Sequence, residues 1–275
     1  MGEVCVSPQP LTTPAYWRTR HLRGPRGYNW PRPGRYLLDC ELDRIFRRHL
    51  AARKGGRLLE IGCGSSVWLP YFSKVFCLSA LGVDYSLEGV LQARKHLALH
   101  AASATLVLAD VFQIGEGLVG QFDAVFSLGV VEHFGDPDAV LAAFARFLAP
   151  GGVLITWVPN IPGSIVRLSR RLNPTVGSIY GPLTCESLVA AQRAAGLEII
   201  EANHTQFADL TLLNLERLPP WLGLWVSRLS RLASLPLVLL GHHSGVFLRS
   251  RRLGGGIVTV ARRPRGAGGW PHTPR

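Results

Sequence analysis

The chain has 275 residues, 30 Lys+Arg against 18 Asp+Glu, and a formal net charge of +12. With 47% hydrophobic and 17% charged residues it has material for a sizeable core, which excludes a disordered, collagenous or coiled-coil chain. The charge is uneven: residues 1–57 hold 12 basic and 4 acidic side chains, residues 58–202 hold 8 and 12, and residues 203–275 hold 10 and 2.

Residues 1–33, rich in Pro, Gly and Arg, read as an irregular arm with Tyr16, Trp17, Tyr28 and Trp30 as anchors. Over residues 35–52, Leu38, Leu42, Ile45, Phe46 and Leu50 recur at helical spacing, and Gly55-Gly56 closes the helix. Short apolar runs follow at RLLEI (57–61), SALGVD (79–84), ATLVLAD (104–110), FDAVFSL (122–128) and GVLITWV (152–158), with helical stretches at 67–76, 86–100 and 137–149 between them. Asp136 and Pro137 open the last of these helices as N-cap and first helical residue. Another helix runs over 184–195 to its stop at Gly196, leading into LEIIEA (197–202), and IVTVARR (257–263) is the final strand. Strands apolar on both faces and separated by helices predict a doubly wound α/β domain with a mostly parallel sheet. Its ligand crevice lies at the C-terminal strand ends. The predicted division is an arm and amphipathic helix (1–56), an α/β core (57–202), an apolar, basic helical insert (203–256) and a last strand with tail (257–275).

The five cysteines show no C-x-x-C pair or zinc spacing, and His242-His243 has no third ligand nearby, so no metal site is expected. The N-terminus lacks a secretory pattern, giving the expectation of a cytoplasmic chain. The basic surplus is nearly all Arg, since Lys54, Lys74 and Lys95 are the only lysines. It is compatible with nucleic acid, an anionic membrane or acidic ligands.

LEIGCGSS (59–66) sits where the first strand turns into a helix, and Gly62 and Gly64 let backbone approach a ligand there. The dinucleotide fingerprint needs a third glycine where this chain has Val67, which disfavours NAD. Asp84 ends the second strand 22 positions after Gly62, where a carboxylate accepts from both hydroxyls of a ribose. Asp110 ends the third, placed to accept from an exocyclic amine.

This arrangement resembles the class I S-adenosylmethionine-dependent methyltransferases, in the branch that includes the ubiquinone and menaquinone methyltransferases. The resemblance covers roughly residues 57–202 through LLEIGCGSS, GVDYS, ADVF, FDAVFSLGVVEHF, LAPGGVLITWVPN and YGPLTCESLVAAQRAAGLEI. It implies a Rossmann-like fold and S-adenosyl-L-methionine as cofactor. Glu60, Gly62, Cys63 and Gly64 would surround the methionine moiety and Asp84 would hold the ribose. Tyr85 would lie against the adenine, Asp110 and Val111 at its edge, and Leu128 would line the pocket. Ser66 departs from the family's further glycine, which narrows the carboxylate end.

His133, in Val-Val-Glu-His-Phe after the fourth strand, is the candidate catalytic base, since an imidazole titrates where a hydroxyl proton must be taken. The alternative is that Glu132 and His133 order the loop. Cys63 and Cys185 read as packed residues and Thr184 as a helix cap.

In the insert, Trp221, Leu222, Trp225, Leu229 and Leu232 share a helical face, and residues 232–248 carry no charge. Pro236, two glycines and two histidines argue against a transmembrane span there. The insert reads as a cap over the acceptor pocket or a contact with an anionic membrane, and either suits a hydrophobic acceptor. The leading expectation is methylation of a small, lipophilic acceptor, at oxygen before carbon or nitrogen. The alternatives are a nucleic-acid (RNA) methyltransferase or binder and a non-catalytic cofactor-binding member.

Overall fold

The computed structural model describes residues 8–22, 29–210, 213–215, 217 and 219–266. Seven strands form one sheet: β1 (Arg57–Ile61), β2 (Ser79–Asp84), β3 (Ala104–Leu108), β4 (Phe122–Leu128), β5 (Leu148–Pro159), β6 (Glu198–Phe207) and β7 (Gly254–Arg262). Their order is β3-β2-β1-β4-β5-β7-β6. The pairs among β1 to β5 are parallel, and β7 runs antiparallel to both neighbours. The strand order reverses between β1 and β4, so the crevice opens above their C-terminal ends.

The helices are α1 (Pro14–Leu22), α2 (Leu37–Leu50), α3 (Trp68–Val75), α4 (Leu87–Leu99), α5 (Pro137–Ala145), α6 (Ser164–Leu172), α7 (Thr175–Ser178), α8 (Cys185–Ala194) and α9 (Pro220–Ser244). On one face of the sheet α2, α3 and α4 close a core in which Phe46 meets Trp68, Phe72 and Phe126 edge-on, with ring centroids 4.8–5.1 Å apart. On the other face Val140, Leu141 and Phe144 of α5 and Leu188 and Ala191 of α8 pack on Leu59, Val125, Leu154 and Ile257. The caps act as their side chains dictate. Asp136 accepts from the Ala139 amide at 3.0 Å, Ser86 from Gly89 at 3.2 Å, and Thr184 forms a reciprocal box with Ser187.

Three expectations are corrected. The 1–33 arm is not irregular throughout, because residues 14–22 are helical; α1 buries no residue completely, so it carries no apolar stripe to read. The third strand stops at Leu108, where the Ala109 amide bonds back to Asp84 O at 3.0 Å, leaving Asp110 beyond the strand. The predicted insert is not helical throughout: 203–207 continue β6, 254–256 begin β7, and between them one helix of 25 residues runs through Pro236. Proline frees the carbonyl of Leu232 four residues earlier. Both residues lie exposed, so that carbonyl needs no protein partner. Residues 221–244 are thus long and apolar enough, by length and composition, to cross a membrane. The main packing partner of α9 is α2.

Candidate active site

The β1–α3 loop is pinned from below. The Gly62 and Cys63 amides both donate to Val83 O, at 2.9 and 3.0 Å, and Ser66 N donates to Cys63 O at 2.7 Å. Gly62 (φ +70°) and Gly64 (φ +28°) take up the left-handed backbone that this tight path requires. The Cys63 side chain turns into the core against Gly82 and Leu69, and burial raises its thiol far above the ordinary range, so it packs and does not react. Ser66 donates to Glu60 Oε2 at 2.8 Å while accepting from the Trp68 and Leu69 amides at 2.9 and 3.2 Å, so it caps α3 from inside the protein. Burial pushes Glu60 up to about 8.

Asp84 stands at the end of β2 with both oxygens oriented by loop amides. Gly64 N donates to Oδ2 at 2.7 Å and Ser86 N to Oδ1 at 2.8 Å. The Tyr85 amide is a further donor to this carboxylate, so of its roughly four lone-pair sites about one remains open to a diol hydroxyl. Burial raises the Asp84 pKa, and the amides and the neighbouring His21 oppose that rise. Asp110 caps a single turn, accepting from Phe112 N at 3.0 Å and Gln113 Nε2 at 3.3 Å. Val111 and Leu128 are half-buried beside the crevice. Tyr85 stays 43% exposed, and its phenol, raised to about 12 chiefly by burial, bonds with Thr12.

The N-terminal segment closes over these strand ends. Leu11 N donates to His133 O at 2.7 Å, and Pro10 bridges to Phe134. Trp17 of α1 donates to Thr12 Oγ1 at 2.9 Å, lies roughly parallel to His21 and meets His133 edge-on at 4.9 Å. The His21 ring rests against Gly64 and Asp84: a Cβ on Gly64 would fall 2.6 Å from His21 Cε1 and 3.3 Å from Asp84 Oδ2. Sequence reasoning missed His21, because neither spacing nor motif marks it.

Beyond β4, Gly129 (φ +72°) turns the chain into a short 3-10 turn carrying Glu132 and His133. His133 is buried with Nδ1 2.8 Å from the Ile179 carbonyl. A carbonyl only accepts, so the proton sits on Nδ1 and the Nε2 lone pair is free to accept. Burial holds its pKa down to about 4, with Arg20 a smaller contribution in the same direction. Glu132 is also buried, pushed up to about 8, and its Oε2 has no hydrogen-bond partner among the described residues. The motif Val-Val-Glu-His-Phe was its signal, and its neutral-range basicity makes it a second functional candidate beside His133.

The structure therefore brings Gly62, Gly64, Asp84, Tyr85, Asp110 and His133 to one end of the sheet. It leaves the Cys63 side chain facing the core. Residues 34–202 match a family described as a methyltransferase domain. The chain belongs to that family. Its sequence motifs and fold are those of the class I S-adenosylmethionine-dependent methyltransferases. A ubiquinone biosynthesis O-methyltransferase of Caulobacter sp. (strain K31) is 35% identical over 108 residues, 39% of this chain and 42% of that protein. A tRNA U34 carboxymethyltransferase of Hydrogenovibrio crunogenus is 34% identical over 127 residues, covering 45% of this chain and 38% of that protein. The chain thus spans about two fifths of the length of these curated relatives. Across nearly the whole fold it is similar to a phosphoethanolamine N-methyltransferase of Haemonchus contortus, with TM-score 0.60, 19% identity, and 92% of this chain and 57% of that one covered.

The residues fit S-adenosylmethionine. In chemistry, Gly62 and Gly64 offer backbone beside the Asp84 carboxylate and Asp110 presents acceptors beyond the next strand, while the His21 ring occupies the space over Gly64 and Val130 that over Gly62.

Proposed function

We propose that this chain methylates an oxygen of a small, lipophilic acceptor. The observation that carries the reading is the buried Glu132–His133 pair set beside the strand ends that bear Asp84 and Asp110. The ubiquinone biosynthesis O-methyltransferase among its relatives favours oxygen and a small molecule.

In this reading Asp84 binds the ribose hydroxyls, Asp110 accepts from the adenine amine, and the Gly62–Gly64 backbone faces the methionine part. S-adenosylmethionine supplies an electrophilic methyl group on a sulfonium that leaves as a thioether. His133 Nε2 accepts the hydrogen bond of the acceptor hydroxyl and orients it, because its Nδ1 proton is committed to Ile179. Glu132, with an uncommitted oxygen, is the group suited to take the proton once it is ionised, which its pKa of about 8 places at mildly alkaline pH. Trp17 and Tyr180 flank His133 and exclude water from it, with ring centroids at 4.9 and 5.4 Å.

The test incubates the protein with labelled S-adenosylmethionine and a cell extract, then separates lipid, RNA and protein. Label in the lipid-soluble fraction supports the reading. Label in RNA would establish the second reading, which the +12 charge and the tRNA-modifying relative favour. Cofactor binding with no labelled product refutes catalysis on any acceptor in that extract.

A further inference from the structure

The outward face of α9 is more apolar than its inward face. Ser230, Ser234, Val238 and Gly241, spaced i, i+4, i+8 and i+11, are its buried positions. The C-terminal pair lies against α2, where Cys40 Sγ is 4.0 Å from the Val238 carbonyl and Arg44 Nε donates to Gly241 O at 3.3 Å. The missing Cβ of Gly241 makes room for the Phe247 ring, which occupies the space where that atom would stand. Trp221, Trp225, Leu229 and Leu232 repeat the same spacing on the opposite side, and Leu235 and Leu239 extend the row. These six side chains are 40–67% exposed. A helix docked on a folded domain and facing only water has the reverse polarity.

The surroundings select the medium that covers this row. Residues 217–266 contain no Asp or Glu, while Arg228 and Arg231 lie on α9 and Arg249 and Arg252 follow it; Arg251 is paired with Glu186 of α8. The Arg228 guanidinium sits 5.9 Å from the centre of the Trp225 ring. Tryptophans suit the boundary between water and acyl chain, and arginines beside them suit phosphate headgroups. Because α9 is held lengthwise on α2, its exposed side meets a plane, and spanning a bilayer would require it to undock.

We propose that α9 is an in-plane docking helix for an anionic lipid bilayer. The row from Trp221 to Leu239 enters the headgroup boundary, and the flanking arginines contact phosphates. The proposal does not depend on the methyl-transfer reading, so either can fail alone.

The experiment is sedimentation of the full-length protein with vesicles of phosphatidylcholine alone and of equal parts phosphatidylcholine and phosphatidylglycerol. Binding to the anionic vesicles, weakened by salt, is expected. The double variant Trp221→Ser/Trp225→Ser should bind about tenfold more weakly at an unchanged melting temperature, since both rings are already exposed. Leu232→Ser provides a second variant should the first fold poorly. Absence of binding at low salt, or equal binding by a folded variant, overturns the proposal. Resistance to alkaline carbonate extraction overturns it in favour of a span. Sedimentation velocity showing a dimer that these variants dissociate, with no vesicle binding, overturns it in favour of a second copy.

Discussion

Replacing Asp84 tests the cofactor site most directly, because each atom of its carboxylate has an identified task. Oδ2 accepts from Gly64 N at 2.7 Å, Oδ1 accepts from Ser86 N at 2.8 Å and the Tyr85 amide is a third donor, leaving about one lone pair for a ribose hydroxyl. Asp84→Asn keeps one acceptor and turns an amide NH2 toward one of the two backbone N–H groups, so one hydroxyl loses its partner. A hydrogen bond to a charged group contributes about 1.5–3 kcal/mol, so S-adenosylmethionine should bind roughly ten- to a hundredfold more weakly. Asp84→Ala removes both acceptors and should exceed a hundredfold loss on the same scale of about 1.4 kcal/mol per tenfold. Titration calorimetry at neutral pH measures both. Asp123→Asn is the control, since that carboxylate accepts from Arg57 N at 2.8 Å at the opposite end of the sheet. Because burial raises the Asp84 pKa, wild-type affinity should also decline on acidification while the Asn variant shows a flatter profile. Binding by Asp84→Asn within twofold of wild type, or an equal loss in Asp123→Asn, would refute the assignment.

Glu132→Gln and His133→Ala should each lower turnover by about a hundredfold or more, with cofactor affinity within about twofold; unchanged turnover in steady-state assays removes the residue from the mechanism. Glu41, Glu60 and Glu132 are each pushed up to about 8 by burial, against 4.5 when exposed. The folded chain therefore keeps protons that the unfolded chain releases, and the stability they contribute is lost as pH rises toward 8. His133, held down to about 4 from 6.5, acts in the opposite sense, losing stability only as pH falls below 6.5. Melting temperature should thus decline between about pH 6.5 and 8.5 and decline less in Glu132→Gln; a flat or rising wild-type curve contradicts this. His21→Ala clears the imidazole from Gly64 and Asp84 and should tighten cofactor binding about three- to tenfold, by removing a competing occupant. Weaker binding would show instead that the ring supports the cofactor.

The central α/β pattern was legible because parallel strands covered on both faces must be apolar throughout, and RLLEI, FDAVFSL and GVLITWV are. The two acids and two glycines were legible because strand ends and tight turns leave marks at fixed offsets. What escaped notice depends on partners distant in sequence. The sixth strand continues through polar residues to Phe207, since Asn203, His204 and Thr205 pair with β7 and Thr205 Oγ1 accepts from Trp157 Nε1 at 3.1 Å. The last strand begins at Gly254 and not at Ile257, because Gly256 must lie beneath the Trp157 indole, 2.4 Å from where a Cβ would stand. Three glycines in a row look like a loop until that indole is in place. Helix α1 was invisible for the same reason: Trp17 meets His133 116 residues away, and His21 meets Gly64 and Asp84 43 and 63 residues away.

The net charge of +12 divides into two physical roles. At the C-terminal flank the arginines border an apolar helix face. At the N-terminal flank they act on the site: Arg18 pairs with Glu88 at 3.0 Å, and the Arg20 charge opposes protonation of both His21 and His133. A positive charge that disfavours an imidazolium favours an ionised hydroxyl at the same place. Burial, the main cause that leaves His133 a weak base, raises the pKa of an acceptor hydroxyl bound to its Nε2, and the Arg20 charge offsets only part of that rise. His133 then contributes alignment more than proton affinity, and Glu132 becomes the terminus of the proton. Because Glu132 is pushed up to about 8 and accepts a proton only once ionised, Glu132→Gln should cost more turnover near and above pH 8 than at acidic pH, where the wild-type carboxyl already carries its proton.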